Sequence, residues 1–321
     1  MSQCLQPTCL HRNPENTKFC QKCGAKLLLL ERYCAVRILG QGGFGRTFLA
    51  IDEGKPSRPP CVIKQLLPQA QGTSSAKKAA ELFAQEAEQL EKLGKHPQIP
   101  ELFAYFTQDE QQYLVQEYIA GQTLDKELEK QGQFNEQQIT KLLADMFKVL
   151  RFIHSKNVIH RDIKPENIIR RRTDKTLVLV DFGAAKVDVD PNLSVTGTMI
   201  GSIGYTAPEQ ARGKPMFASD LYSLGLTCIH LLTNVNPTEL FDDYEGEWIW
   251  RNYLGDNRVS EAMTKILNKM IERVIRKRYQ SVEEIIISTQ HKSIPRQSQV
   301  QQRPASSNIS QPTSLPAKPA S

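Results

Sequence analysis

Two short stretches of this chain set acids, an amide and a lysine where they could hold a divalent cation against a phosphate. His160-Arg161-Asp162-Ile163-Lys164-Pro165-Glu166-Asn167 is one, and the apolar run Leu177 to Val180 ending in Asp181-Phe182-Gly183 is the other. Hard oxygen donors of this kind suit a divalent cation held against phosphate oxygens. Upstream, Gly40-Gln41-Gly42-Gly43-Phe44-Gly45 has the G-x-G-x-x-G spacing, which lets backbone amides approach phosphate oxygens with no Cβ in the way. Arg46 to Ile51 continues as a strand instead of opening a helix, which argues against a dinucleotide fold.

The elements that must position these groups follow from periodicity. Strands are expected at Tyr33 to Leu39, Thr47 to Ile51, Cys61 to Leu66, Leu102 to Phe106 and Tyr113 to Tyr118. Period-two alternation puts Lys64 on the same face as Val62 and Leu66, and a lysine on an inward face needs a countercharge. A helix over Lys77 to Leu93 supplies one: Glu86 shares its buried stripe with Leu82, Leu90 and Leu93, whereas Glu88 and Glu91 lie off it. Gly94 and Pro97 end that helix. After Gly121 the pattern turns mainly helical, over Gln137 to His154, Ala218 to Leu232, Ser260 to Ile275 and Val282 to Ile287. Arg170 to Arg172 reads as an exposed hairpin turn. A strand-rich lobe followed by a helix-rich lobe implies an α+β fold with a cleft between two layers.

In this order and spacing, the motifs of residues 33 to 288 closely resemble those of the protein kinases, in particular the eukaryotic-like serine/threonine kinases of bacteria. The resemblance implies a two-lobed kinase fold and transfer of the γ-phosphate of ATP to serine or threonine of protein substrates. It implies that Gly40, Gly42, Gly43 and Gly45 cover the phosphates and that Lys64, paired with Glu86, contacts them. Asp162 would accept the hydroxyl proton, Lys164 would stabilise the transferred group, and Asn167 and Asp181 would hold Mg2+. Backbone atoms of Glu117 and Ile119 would carry the adenine, with Gln116 behind it. Leu90, Leu102, His160 and Phe182 match stacked side chains that couple the lobes, and Glu209 and Arg278 match a buried ion pair. Thr47 and Val62 depart from the usual valine and alanine above the adenine. Ser202 resembles the substrate-positioning residue of serine/threonine kinases. Ser194, Thr196 and Thr198 are the hydroxyls in the activation segment whose autophosphorylation would give Arg161 a charged partner.

At 321 residues, 40% hydrophobic and 24% charged, the chain has ordinary globular composition. Its net charge of +6 is spread among carboxylates, so no nucleic-acid partner is expected. No apolar run approaches the roughly 20 residues that span a bilayer, and the expectation is a soluble cytoplasmic protein without membrane insertion. Four of the seven cysteines fall in the first 23 residues. Cys4-x4-Cys9 and Cys20-x2-Cys23 suit a tetrahedral zinc site in a module over residues 1–26, whose folding free energy would come mostly from the metal. A thiol/disulfide switch is the alternative. The Phe19 to Gly24 knuckle resembles zinc-ribbon knuckles, and its combination with the kinase body resembles a cyanobacterial group. Residues 289–321, rich in Gln, Ser and Pro, are expected to be disordered. A catalytically silent scaffold is the competing function, disfavoured by intact Lys64, Asp162, Asn167 and Asp181. A small-molecule kinase is disfavoured by a full activation segment through Glu209. Sequence alone leaves the oligomeric state open.

Overall fold

The computed structural model describes residues 1–42, 45–67, 73–184, 186–187, 202 and 204–290. Its strands and helices form two lobes. In the first, β3 (Leu28–Leu29), β4 (Tyr33–Gln41), β5 (Gly45–Asp52), β6 (Pro60–Leu66), β7 (Leu102–Gln108) and β8 (Gln111–Glu117) make a six-stranded sheet in the order β3-β4-β5-β6-β8-β7, every pair antiparallel. Helix α1 (Thr73–Leu93) packs on one face, placing Ala87, Leu90 and Leu93 in the large core that continues into the second lobe. It starts four residues before the expected Lys77 and stops where Gly94 takes φ +60°.

The other sheet face is also apolar. Phe48, Ala50, Cys61, Ile63 and Val115 form a separate buried cluster there. Its cover comes from the N-terminal segment, where β1 (Ser2–Gln3) and β2 (Arg12–Asn13) form a short antiparallel pair and Leu5 and Leu10 join that cluster. The expectation of a head with almost no core of its own is met by a small group of Cys4, Cys20 and Leu27. Leu5, within the expected module, is buried against the six-stranded sheet.

In the second lobe, α2 (Leu124–Gln131), α3 (Glu136–Ser155), α5 (Phe217–Thr233), α6 (Glu261–Met270) and α7 (Val282–Gln290) surround the short sheet β12-β11-β9, made of β9 (Gly121–Thr123), β11 (Ile168–Arg171) and β12 (Leu177–Leu179). Strands β10 (Val158–Ile159) and β13 (Lys186–Val187) pair beside it, and α4 (Pro208–Ala211) is a single turn. Helix α3 begins at a reciprocal cap, Gln138 N–H donating to Asn135 Oδ1 and Asn135 N–H to Gln138 Oε1. Its buried residues Ile139, Leu142, Leu143, Met146, Val149, Leu150 and Ile153 keep helical spacing. Helix α5 is buried almost all round, as a helix through the middle of a core must be.

Two expectations are corrected. The expected hairpin turn is present with exposed Arg172 in it, but Arg170 and Arg171 lie in β11, Arg170 with its guanidinium on Glu127 at 2.9 Å, and the turn continues to where Asp174 Oδ1 accepts from Thr176 N and Lys175 takes φ +62°. The helix expected to reach Ile275 ends at Met270, because the following segment turns back to bring Arg278 to Glu272 O and to Glu209. Among the described residues no helix is long and apolar enough to cross a membrane.

The Arg278 guanidinium is fully buried and forks onto Glu209 at 2.6 and 3.2 Å, with Ser219 Oγ completing the carboxylate at 2.7 Å. Burial alone would raise the Glu209 pKa, but Arg278 and Ser219 hold it below the ordinary value. A depressed carboxylate contributes stability above its unfolded pKa and loses it as pH falls through the folded one. Glu209→Ala should therefore lower unfolding stability by about 3–5 kcal/mol at neutral pH, through the stranded arginine. Denaturant titration should show that deficit shrinking as pH falls below the ordinary glutamate range and through the depressed folded pKa, where wild-type Glu209 protonates too.

Candidate active site

Lys64 leaves β6 toward the cleft between the lobes, on a strand held on both sides by β5 and β8. Its ammonium makes a short ion pair with Glu86 Oε1 and a second, at 3.0 Å, with Asp181 Oδ1. Burial works against the ammonium, but the Asp181 and Glu86 carboxylates outweigh it and raise its pKa, so Lys64 stays charged. In return Lys64 holds Asp181 down to about 2. The strand, helix α1 and the loop after β12 are thus tied at one point.

The Gly-rich segment divides by function. A Cβ on Gly45 would sit 2.5 Å from Gln65 O, so packing of β5 on β6 demands glycine there. A Cβ on Gly40 or Gly42 would meet nothing within 4 Å, which leaves the surface above these residues open for a ligand. Gly43 lies outside the described residues.

Asp162 is the centre of a second cluster. Asn167 Nδ2 donates to its backbone oxygen at 2.8 Å and to Oδ2 at 2.9 Å. Ser202 Oγ donates to Oδ1 at 2.8 Å, Lys164 Nζ lies 3.2 Å from Oδ2, and Lys164 also makes a short hydrogen bond with Ser202. With its amide nitrogen engaged twice, Asn167 has its carbonyl oxygen to offer a cation.

The loop bearing Asp162 is held from below. Asp220, fully buried on α5, accepts from His160 N and Arg161 N at 2.9 Å each, and its Oδ2 lies 2.9 Å from His154 Nε2. Burial alone would raise the Asp220 pKa, yet these partners keep it below the ordinary value. Gln210 Nε2 donates to Arg161 O at 2.7 Å. Arg161 and Asp181 take φ of 71° and 68°, a region that non-glycine residues seldom adopt and that marks functional loops. Burial pushes the His160 pKa down; with Nδ1 accepting from Asp162 N and Nε2 donating to Val180 O, the ring is neutral and fixed in one tautomer. It packs edge-on against Phe182 at 4.7 Å, with Leu90 and Leu102 in the same core.

Most of the residues singled out in sequence therefore converge on one cleft. Glu117 closes β8 beside buried Gln116 and Ile119, opposite Cys61. Ser194, Thr196 and Thr198 lie outside the described residues. What the motifs did not disclose is the use of Asp220 and Gln210 as supports for the Asp162 loop. Asp220 opens a D-x-x-S-x-G run with Ser223 and Gly225 that the resemblance to kinases picks out, but that match says nothing of the amides it holds, and Gln210 has no such signal.

The four N-terminal cysteines also converge. Their sulfurs all lie within 4.8 Å of one another, with Cys4 to Cys23 at 3.6 Å and Cys9 to Cys20 at 3.8 Å. A tetrahedron with zinc–sulfur bonds of about 2.3 Å has edges of about 3.8 Å, so the donor set fits that ion. Asn13 Nδ2 lies 3.7 Å from Cys20 Sγ, and the amides of Cys23 and Lys22 also face this sulfur. Despite its burial, these donors favour the thiolate that a metal requires. His11 is exposed and stands outside the cluster.

Residues 33–290 match the protein kinase domain family. The chain is 43% identical to serine/threonine-protein kinase B of Synechocystis sp. over 89% of its own length and 51% of that protein. It is 41% identical to serine/threonine-protein kinase PknA of Nostoc sp., over 82% of the chain and 48% of that protein. The probable serine/threonine-protein kinase PknB of Lactococcus lactis is 28% identical over 81% of the chain. The chain spans about half the length of several of these curated relatives. It belongs to the protein kinase domain family, and these relatives bear the name of serine/threonine-protein kinases.

Ser202 touches both the acid and the lysine of the Asp162 cluster, so its loss should affect turnover. Ser202→Ala should lower kcat about tenfold or more, as for a hydrogen bond to a charged group, with the KM for ATP little changed. Ser202→Thr, which keeps the hydroxyl, should restore most of it, as steady-state kinetics on a peptide acceptor would show.

Proposed function

We propose that this chain transfers the γ-phosphate of ATP to serine or threonine hydroxyls of other proteins, using the residues gathered in the interlobe cleft. The observation that carries the reading is the Asp162 cluster, where a carboxylate, a lysine and a hydroxyl meet within hydrogen-bond distance. The Lys64, Glu86 and Asp181 group supplies the second half of the site. An incoming hydroxyl beside Ser202 Oγ would hydrogen-bond to the Asp162 carboxylate and give up its proton to it as its oxygen attacks the γ-phosphorus and the bond to the β-phosphate oxygen breaks, releasing ADP. Lys164 would neutralise charge developing on the transferred group, and Lys64 would hold the remaining phosphates. Asn167 and Asp181 are the residues that would hold magnesium, whose chemistry here is charge neutralisation at phosphate oxygens. Glu117 and Ile119 would offer backbone atoms to adenine. The attacking group is weak and the transferred group highly charged, so positioning and electrostatics dominate the rate.

Autophosphorylation among Ser194, Thr196 and Thr198 belongs to the same reading. One experiment separates the roles. Asp162→Asn should abolish transfer, by about a hundredfold or more, while keeping ATP affinity; Asp181→Asn should weaken magnesium-dependent nucleotide binding itself. Mass spectrometry after incubation with ATP and magnesium should find phosphate in residues 194–198 of the wild type and none in Asp162→Asn. Near wild-type turnover in both variants would place the site elsewhere.

The four-cysteine head is proposed to bind one zinc ion through Cys4, Cys9, Cys20 and Cys23, a reading supported by sulfur spacings suited to tetrahedral ligation and too long for the roughly 2.05 Å of a disulfide. Elemental analysis of purified protein should return one zinc per chain, falling to none in a Cys4→Ser/Cys20→Ser variant. A metal-free wild type carrying a reversible disulfide would favour the redox alternative.

A further inference from the structure

The outward face of the kinase sheet holds a row of polar side chains directly behind the nucleotide-binding elements. Across the strands, Gln41 of β4 opposes Arg46 of β5, Arg46 opposes Gln65 of β6, and Gln65 opposes Tyr113 of β8. Arg46 donates through Nε and Nη2 to Gln41 Oε1, each at 3.1 Å, closing the base of the Gly-rich segment. Gln65, fully buried and next to Lys64 in the chain, donates through Nε2 to Tyr113 Oη at 3.3 Å and to Leu5 O at 2.9 Å. Leu5 follows the zinc-ligand candidate Cys4, and its side chain lies in the apolar cluster with Phe48 and Ile63.

A head whose own buried group is Cys4, Cys20 and Leu27 cannot keep this docking surface in shape without its metal. When the head loosens, Gln65 loses a hydrogen-bond acceptor in a buried place and the apolar sheet face meets water. Both costs fall on the two strands that carry Lys64 and the Gly-rich segment. We propose that the head and the nucleotide site are thermodynamically linked through Leu5 and Gln65, so that filling either one raises the affinity of the other. This rests on the zinc reading above. Linkage requires the two effects to be equal in size.

The test uses the full chain, with zinc as one probe and ADP with magnesium as the other. Competition against a chromophoric chelator gives zinc stoichiometry and affinity with and without ADP; calorimetry gives ADP affinity with and without zinc. The expected result is one zinc per chain, bound about fivefold more tightly with ADP present, and an equal gain in ADP affinity on zinc loading. Gln65→Met, similar in shape but without the donor, should still bind one zinc and lose most of both gains. Leu5→Ala should do the same by the apolar route, which guards against a fold defect peculiar to one variant. Zinc that binds equally well with and without ADP would overturn the linkage alone. A chain that binds no zinc would overturn the metal reading and the linkage with it.

Discussion

Everything in the cleft depends on keeping a partly buried lysine charged. On its inward sheet face Lys64 is kept an ammonium by Asp181 and Glu86 together, and Glu86 reaches it with α1 lying with its Leu90 stripe against the core. Asp181 is the third party, bringing in the loop after β12. One cation therefore specifies the relative placement of a strand, a helix and a loop from distant parts of the chain. Removing Lys64 would leave the buried Glu86 carboxylate without its cation, whereas loss of one carboxylate leaves the lysine with the other.

The second lobe repeats this logic with a carboxylate. Asp220 sits on the most buried helix and satisfies two backbone amides of the loop that displays Asp162. Arg161 takes a left-handed conformation there, and Asp220 and Gln210 hold the backbone on either side of it. Asp162, the proposed proton acceptor, is thus presented by a strained loop over a rigid base, the arrangement that preorganised catalysis would call for. Glu209 and Arg278 serve the same lobe farther out, fastening the start of α4 to the segment before α7.

Charged motifs with tight spacing were the most legible part of the sequence. Lys64 and Glu86 could be paired from strand alternation and helix period alone, and the structure joins them. Asp162, Asn167 and Lys164 were visible because they are neighbours in the chain. Asp220 was visible only as the first residue of a D-x-x-S-x-G run, and a short motif in an apolar helix carries no local signature of the two amides it serves, some 60 residues away. Helix α2 was missed because eight residues hold too few turns for a period to emerge. Arg170 was read as part of a turn because a run of arginines looks solvated until its partner Glu127 comes into place through the fold. The head was read as separate for a similar reason. The apolar outer positions of β6 and β8, Cys61, Ile63, Tyr113 and Val115, were the signal that something covers them.

That double-sided sheet has a practical consequence for anyone who trims the chain to its catalytic domain. A polypeptide begun at Tyr33 would carry Phe48, Ile63 and Val115 on an open flat face, with Gln65 beneath them lacking its carbonyl partner. Contiguous apolar surface of that kind drives self-association. Poor solubility in such a fragment would then report the missing N-terminal layer and not a fault in the kinase fold.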